Sequence, residues 1–328
     1  MQTLLWAVVL IVLGFFLLVK GADFFVEGAS AVAKKLNVPT LIIGMTVVAM
    51  GTSLPELSVS INSSLAGQNT LAISNVVGSN MFNLMVVLGL SALFNPLFVD
   101  KIVTKRDYPF TIFCAILLLG LGYIGFAGIG GDTGMQLGHI DGAIFLVIFV
   151  GFIVFQIKDA IKARNAGEEV VIEGEEDIYD MPMWKAILYI VGGAVAVQFG
   201  GDWVVDGAVD FAGFFGVSET LIGLTIVACG TSLPELATSL AAARKNELDM
   251  AVGNVVGSNV FNILFILGVA AAISPISFMT DNIIDICVLL VFSLITWVFC
   301  IVKKKIGRPE GIIMLVVYAI YLVYICMR

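Results

Sequence analysis

The sequence GMTVVAMGTSLPEL at residues 44–57 decides the fold, because a close copy, GLTIVACGTSLPEL, recurs at 223–236. Extended to 44–90 and 223–269, the two copies align without a gap at an offset of 179 residues (235 − 56), and 23 of 47 positions are identical. Self-similarity of this extent indicates an internal duplication. We therefore expect the chain to fold as two related halves.

The composition is that of a membrane protein. Of 328 residues, 59% are hydrophobic and 13% are charged, whereas soluble domains are about 45–50% apolar and about 25% charged. The sequence has no basic, aromatic-rich patch that would indicate nucleic-acid binding, and its five cysteines contain no CxxC pair, so we expect free thiols. The N-terminal apolar run follows no basic residue and is interpreted as a transmembrane helix rather than a signal peptide.

Ten segments are apolar and long enough to span a bilayer, which takes about 20 residues. We predict an all-α polytopic membrane protein with ten transmembrane helices in two inverted five-helix repeats. The first repeat covers 1–158, the second covers 184–328, and an acidic linker occupies 159–183. The predicted spans lie at about 3–30, 39–66, 70–94, 108–128, 139–157, 184–211, 219–243, 250–273, 283–302 and 310–327.

Lysine and arginine collect in alternate loops, and this pattern predicts the topology. The basic clusters lie near 34–35, 101–106, 158–164, 244–245 and 303–308. We expect the protein in the cell membrane, that is, the plasma or inner membrane. By the positive-inside rule, both termini then lie on the outer side and the linker at 159–183 lies in the cytoplasm. Because each repeat has an odd number of helices, the second half runs through the membrane in the opposite direction, as in many secondary transporters.

Each copy of the motif places one glutamate beside a proline in apolar sequence. Glu56 follows Pro55, and Glu235 follows Pro234. A carboxylate inside a membrane is costly and indicates a functional site, and proline breaks a helix, freeing backbone carbonyls that persist only in protein or in a watery cavity. We predict a site in which both glutamates meet with their oxygen-bearing neighbours. Those neighbours are Thr52, Ser53, Ser79 and Asn83 in the first copy, and Thr231, Ser232, Ser258 and Asn262 in the second.

The predicted ligands are all oxygen atoms, and their two carboxylates neutralise one Ca²⁺ or two Na⁺. Neither copy supplies a histidine, and the thiol of Cys229 has Met50 as its counterpart and is not expected to bind. The site therefore lacks the imidazole and thiolate ligands that transition metals prefer. Ca²⁺ accepts six to eight oxygen ligands in flexible geometry, whereas Mg²⁺ demands a tight octahedron. The ligand types favour Ca²⁺ or Na⁺, competing for one site.

The paired GTSLPE and GSN-x-F-N motifs resemble the two alpha repeats of the calcium/cation antiporter superfamily, most closely its prokaryotic sodium/calcium exchangers. The resemblance covers essentially the whole chain. It implies an antiporter, not an enzyme, that exchanges Na⁺ for Ca²⁺ by alternating access, with three Na⁺ per Ca²⁺ and no cofactor beyond the transported ions. It also implies that the residues named above are ligands together with the carbonyls of Ala49 and Ala228, and that the first and sixth helices slide as gates. We expect the protein to act as a monomer in the lipid bilayer.

One departure from the family bears on potassium. Some members, notably those that also transport K⁺, carry aspartate at the second-repeat position where this chain has Asn262. The chain has asparagine at both equivalent positions, 83 and 262. This argues against K⁺ dependence and removes a proton-titratable group from the site.

Other functions stay open at this point. A Ca²⁺/H⁺ antiporter of the same superfamily is the nearest, although such relatives typically show Asn and Ala around the repeat glutamate, where this chain has GTSLPE. An intramembrane hydrolase with Ser53 or Ser232 as nucleophile needs a nearby base, and neither motif holds histidine or lysine. A passive channel would carry flux without coupling to an opposing gradient.

Two sets of acidic residues outside the motif also allow alternative interpretations. Asp23 and Glu27 in the first helix match Asp202 and Asp206 in the sixth at the same offset, and these carboxylates either guide ions or reach the membrane interface. The linker is interpreted as a solvated hinge, with a regulatory cation site as the alternative. Its acidic residues are Glu168, Glu169, Glu173, Glu175, Glu176, Asp177 and Asp180.

Overall fold

The protein is nearly all-helical in the part that the structure describes. The structure, a computed structural model, describes residues 2–67, 69–124, 135–166, 181–217 and 228–327. The acidic residues of the linker lie outside these ranges. The five cysteines are free thiols, as expected.

The first half begins with one long helix and continues through helices that are broken or widened. Its helices are α1 (Gln2–Leu36), α2 (Thr40–Ile43), α3 (Ala49–Thr52), α4 (Leu54–Leu65), α5 (Asn69–Phe82), α6 (Leu88–Phe94), α7 (Tyr108–Ile124) and α8 (His139–Ala166). Three π-helical segments, Gly44–Val48, Asn83–Val87 and Val103–Asp107, connect or precede them. The first two make α2 continuous with α3, and α5 continuous with α6.

The second half repeats this plan where it is described. Its helices are α9 (Met183–Phe214), α10 (Ala228–Gly230), α11 (Leu233–Arg244), α12 (Leu248–Phe261), α13 (Leu267–Ile273), α14 (Thr280–Lys303) and α15 (Arg308–Met327). A π-helical segment at Asn262–Ile266 joins α12 to α13. It occupies the positions equivalent to Asn83–Val87, so the duplication extends to this local widening of the helix.

Within the described residues, seven helices are long and apolar enough to cross a membrane, or eight if the bent pair Thr40–Thr52 and Leu54–Leu65 is one span. This count does not confirm the predicted ten. The predicted spans at 108–128 and 219–243 both run into residues that are not described. The described helix of the former, α7, has 17 residues. The seven are Leu4–Leu36, Thr70–Phe94, His139–Asn165, Met183–Phe214, Leu248–Ile273, Thr280–Lys303 and Arg308–Met327.

In the described part of the chain, two short antiparallel sheets of two-residue strands accompany the helices. Strand β1 (Leu97–Phe98) pairs with β4 (Lys305–Ile306), and β2 (Gln136–Leu137) pairs with β3 (Ile276–Ser277). Each sheet joins a strand from the first half to a strand from the second half. Strands of two residues are too short to carry the alternating pattern by which strands are predicted.

The helices that carry the GSN-x-F-N motifs form the centre of the molecule. In the spans Thr70–Phe94 and Leu248–Ile273, 78% of the most apolar window is buried, against 22% in Leu4–Leu36 and 28% in Met183–Phe214. Large apolar side chains such as Leu5 and Val147 remain exposed on the outer helices. A membrane protein exposes such residues to lipid, whereas its polar groups are placed inside.

Helices α1 and α9 approach each other closely along a glycine seam. Gly14, Gly21 and Gly28 of α1 are spaced by seven residues, and Gly193, Gly200 and Gly207 of α9 stand at the equivalent positions. A Cβ placed on any of the six would lie 2.6–2.8 Å from an atom of the facing helix. Small residues at such contacts let helix backbones meet directly in a membrane.

Candidate ion-binding site

Both glutamate-bearing helices begin at a break made by the motif itself. Ser53 ends α3 and precedes α4, with ψ of 15°, and Ser232 precedes α11 with ψ of 6°. Proline occupies the first turn of each new helix, at Pro55 and Pro234, where its missing N–H is tolerated. The α3–α4 pair is bent by 47°. Each glutamate is thereby placed in the first turn of a new helix, beside a helix break.

Glu56 is held by serines from both halves. Its carboxylate oxygen Oε1 accepts hydrogen bonds from Ser79 and from Ser232, each at 3.1 Å. The two hydroxyls contact each other at 2.9 Å, and the amide of Asn262 donates to Ser79 at 3.2 Å. Four predicted ligands, two from each half of the chain, therefore meet at one point in the protein interior.

Glu235 has the corresponding arrangement. Its Oε1 accepts a hydrogen bond of 2.6 Å from Ser53 of the other half. The carbonyl of Ala49 accepts from Thr52 at 3.3 Å and from Ser258 at 3.5 Å. Ser53 belongs to the same motif as Glu56, and Ser232 to the same motif as Glu235, so these reciprocal bonds bring the two carboxylates into one cluster. A cation between two such charges is electrostatically favoured.

The two asparagines of the predicted site are oriented by two others. Asn83 donates its amide to Asn259 at 3.4 Å, and Asn262 donates to Asn80 at 3.0 Å. Asn80 and Asn259 also donate to each other's backbone carbonyl, at 3.1 and 3.4 Å. These bonds between the halves fix the amide nitrogens and leave the side-chain oxygens of Asn83 and Asn262 free to accept. Asn80 and Asn259 therefore have a hydrogen-bonding role, in which they hold the two halves together and orient the predicted ligands.

Four buried oxygen atoms at this site have no hydrogen-bond donor among the described residues. They are Oε2 of Glu56 and Glu235, and Oδ1 of Asn83 and Asn262. All four residues are fully buried. A buried polar atom without a partner is costly, and acceptor oxygens of this kind are the ligands that hard cations take. Among the described residues no group of three or more His, Cys, Asp and Glu is close enough to hold a metal ion, in agreement with a ligand set that has only two carboxylates.

Sequence reasoning missed Asn75, which braces the first glutamate. Its amide donates to the backbone carbonyl of Glu56 at 3.4 Å and to the hydroxyl of Ser60 at 3.3 Å. Its side-chain oxygen accepts from Thr231 of the other half at 3.5 Å. Asn75 therefore ties α4 to α5 and to the second copy of the motif.

Asn254 does the same in the second half. It donates to the carbonyl of Glu235 at 3.4 Å and to Ser239 at 2.9 Å, and it accepts from Thr52 at 3.2 Å. A signal for this pair was present, because both asparagines and both serines are identical in the two copies. Identity at polar positions of a duplicated segment was evidence enough to include them.

The remaining predicted ligands differ in position. Ten of the twelve are buried, including Ala49. Thr231 is only partly buried; its described contact is Asn75, and it lines a cavity of about 350 Å³. The backbone of Ala228 begins α10, but its surroundings lie outside the described residues.

The matched acidic residues of α1 and α9 have different surroundings. Asp202 and Asp206 of α9 line the cavity that contains Thr231, together with Pro55 and Pro234. In α1, by contrast, the equivalent residues are engaged in ion pairs with α11: Asp23 with Arg244 at 3.4 Å, and Glu27 with Lys245 at 2.7 Å. The two ends of the site are thus unequal, one next to a cavity and the other crossed by two ion pairs.

Comparison with known proteins identifies relatives over the full length. A family profile described as sodium/calcium exchanger protein matches residues 6–158 and 185–327. The chain is 36% identical to the inner membrane protein YrbG of Escherichia coli strain K12, over 90% of each chain. It is 31% identical to the sodium/calcium exchanger MaX1 of Methanosarcina acetivorans, over 96% of this chain and 97% of that one. A solved structure of the sodium–calcium exchanger NCX_Mj, soaked with zero Na⁺ and Ca²⁺, aligns with a TM-score of 0.82 and 31% identity over 98% of this chain and 99% of that one.

Proposed function

This chain belongs to the sodium/calcium exchanger family, and from that premise we propose that it exchanges three Na⁺ for one Ca²⁺ across the cell membrane at the site between Glu56 and Glu235. The observation that carries this proposal is the set of four buried, unpartnered oxygens on two glutamates and two asparagines. Cation antiport involving Ca²⁺ follows from the family. We propose in addition that Na⁺ is the coupling ion and that three Na⁺ are exchanged for each Ca²⁺.

The charge of the site supports competition between the two ions. One Ca²⁺ neutralises the two carboxylates, as do two Na⁺ ions. A third Na⁺ requires uncharged oxygens, and the free Oδ1 atoms of Asn83 and Asn262 are of that kind. Because neither amide adds negative charge, the site with three Na⁺ carries one net positive charge.

Alternating access explains the unequal ends of the site. Asp202 and Asp206 line a cavity that reaches Thr231, whereas the ion pairs from Arg244 and Lys245 join α11 to α1 at the other end. Leu65 and Ala66 stand at the first-half positions equivalent to those two cations, so they cannot form matching ion pairs to α9. These features support a state that is open on the side of Asp202, which the distribution of basic loops assigns to the outside.

The glycine seam supports α1 and α9 as the moving elements. The six glycines bring the backbones of α1 and α9 into direct contact, so the two helices form one closely packed pair that can move as a unit. We propose that α1 and α9 slide together past the other helices, exposing the site alternately to each side, in a monomer of ten transmembrane helices arranged as inverted repeats. In this arrangement both termini are outside and the linker at 159–183 is cytoplasmic.

The coupling ion is tested in proteoliposomes by ⁴⁵Ca²⁺ uptake at clamped voltage. Vesicles are loaded with Na⁺, K⁺ or acid in turn, so that one outward gradient at a time is available. We expect uptake with the Na⁺ gradient alone, and its loss when a sodium ionophore dissipates that gradient. Uptake driven equally by the proton gradient would make the protein a Ca²⁺/H⁺ antiporter, a K⁺ requirement would contradict the argument from Asn262, and uptake without any gradient would indicate a channel.

A further inference from the structure

A second cavity lies apart from the ion site, where three segments of the first half end. Its volume is about 520 Å³, within the range of roughly 300–1,000 Å³ typical of small-molecule sites. It lies between the start of α2, the helical residues 101–106 that lead into α7, and the last turns of α8. The polar residues that line it are four cations and one carboxylate: Lys101, Lys105, Arg106, Lys162 and Asp159.

One of the four cations is already engaged. Arg106 pairs with Asp107 at 2.7 Å and with Asp159, and its guanidinium lies 4.9 Å from the centre of the Phe155 ring. Asp159 shares this one guanidinium with Asp107, so the three groups together keep one negative charge, against three positive charges on the lysines. The three lysines are exposed, and no ion pair links any of them to another described residue.

The walls of the cavity are apolar below the cations. Leu41 and Ile42 are almost fully buried at the start of α2, whereas Ile102 is 49% exposed at the rim. Lysine side chains can lie along such a surface and keep the ammonium group at the membrane interface. The cavity thus combines an apolar wall with an excess of positive charge, carried by the three lysines.

The duplication provides an internal comparison. Lys101, Lys105 and Arg106 are replaced at the equivalent positions of the second half by Thr280, Ile284 and Asp285. The basic character therefore belongs to one end of the molecule. Since that end carries the basic loops, the positive-inside rule assigns it to the cytoplasmic leaflet.

We propose that this cavity binds the phosphate headgroup of an anionic glycerophospholipid, with Lys101, Lys105 and Lys162 contacting the phosphate and the apolar wall contacting the upper acyl chain. Basic pockets between transmembrane helices on the cytoplasmic side take such headgroups. The apolar wall at the ends of membrane helices favours a lipid over free phosphate, which has no apolar part to bury. The proposal goes beyond the exchange reaction and does not depend on it.

The experiment is native mass spectrometry of the full-length protein in neutral detergent, titrated with phosphatidylglycerol. We expect one phosphatidylglycerol to bind the wild type more tightly than phosphatidylcholine. The triple variant K101Q/K105Q/K162Q should lose affinity on the order of a hundredfold, about fivefold for each lysine, and the triple Lys→Arg variant should retain it. The matched control is K35Q/K158Q/K304Q, three lysines at the same end of the molecule that do not line the cavity.

Equal loss of affinity in the control triple would overturn the proposal, because the effect would then come from the general surface potential. Equal binding of phosphatidylcholine would also overturn it. Full displacement of the lipid by inorganic phosphate at a similar concentration would replace the lipid with a soluble anion. Thermal unfolding of each variant in lipid-free detergent shows whether the fold is intact.

Discussion

Glu56 and Glu235 each use one carboxylate oxygen to accept from a serine of the other half and leave the second oxygen free. The serine bonds fix the direction of the carboxylates, and the free oxygens hold the negative charge available to a cation. Asn83 and Asn262 follow the same pattern: the side-chain nitrogen donates a hydrogen bond, and the side-chain oxygen has no donor among the described residues. At the scale of single residues, hydrogen bonding between the halves sets up the proposed ion ligands.

Replacing either glutamate with glutamine should weaken Ca²⁺ binding on the order of a hundredfold or more. Glu56→Gln or Glu235→Gln removes one of two buried charges that balance a dication, and breaking a buried charge pair costs several kcal/mol. Isothermal calorimetry on the purified protein measures the change. Asp210→Asn, which removes an exposed carboxylate on α9, is the control and should bind normally. Binding close to wild type in both glutamine variants would refute the site.

The residues of the site were predictable where a motif carried the chemistry and unpredictable where geometry alone decided. The duplicated GTSLPE and GSN-x-F-N segments supplied ten of the predicted ligands, and the family resemblance added the carbonyls of Ala49 and Ala228. The structure brings most of them into one buried cluster, although their role stays a prediction. Asn75 and Asn254 were missed because they lie one turn before the predicted serines and contact the far half of the chain. The sequence also could not predict whether the Thr231 side chain faces the ion site or the cavity, because packing between the two halves decides this.

At the scale of helices, the π-helical segments could not be read from the sequence. Those at Asn83–Val87 and Asn262–Ile266 begin at the two predicted asparagine ligands. A π turn adds one residue and shifts the phase of the helix, but a helix that is buried on nearly all faces, such as α12, has no apolar stripe in which the shift could be seen. Such turns are frequent at functional sites. The breaks at Pro55 and Pro234, in contrast, were predictable because proline has a known effect on the helix.

The glycine seam makes a prediction that compares two adjacent residues. A Cβ added at Gly193 would lie 2.6 Å from the backbone nitrogen of Phe25, whereas one added at Gly192 would meet no atom within 4 Å among the described residues. Gly193→Ala should therefore destabilise the α1–α9 contact by about 1–3 kcal/mol and slow transport. Gly192→Ala should be neutral or stabilising by up to about 1 kcal/mol.

Thermal unfolding in detergent and initial rates of Ca²⁺ uptake measure both variants of the seam. Equal behaviour of Gly193→Ala and Gly192→Ala would show that close packing of α1 on α9 does not matter for stability or movement. A loss of transport at Gly193→Ala with unchanged unfolding would place the effect on sliding rather than on folding.

At the scale of the whole molecule, composition was sufficient to predict a nearly all-helical membrane protein, and this is confirmed. The ten-helix count and the inverted orientation remain predictions, because two of the predicted spans run into residues that are not described. Two features of the fold could not be predicted: the cavity beside Asp202, and the ion pairs that close the opposite end. Both depend on how the two halves pack, which a repeated sequence does not specify.

Topology can be tested at one pair of equivalent positions. Phe98 and Ser277 are separated by the same offset of 179 residues, and both are exposed at the second residue of a short strand. With the exposed Cys287 and Cys326 replaced by serine, an impermeant maleimide added to intact cells should label Ser277→Cys and not Phe98→Cys. Permeabilised cells should label both, and this serves as the control. Labelling of both variants from the same side would contradict the inverted repeat.

The reversal potential of Ca²⁺ flux in proteoliposomes tests the central claim most directly, because it depends on both the coupling ion and its number. If three Na⁺ exchange for one Ca²⁺, each cycle moves one net charge, and about 2.3 kcal/mol per 100 mV enters the driving force. The account predicts that flux reverses at a voltage that shifts with the Na⁺ gradient as three Na⁺ per Ca²⁺ require. A reversal point set by the ion gradients but insensitive to voltage would mean two Na⁺ per Ca²⁺, and one that ignores the Na⁺ gradient would contradict Na⁺/Ca²⁺ exchange itself.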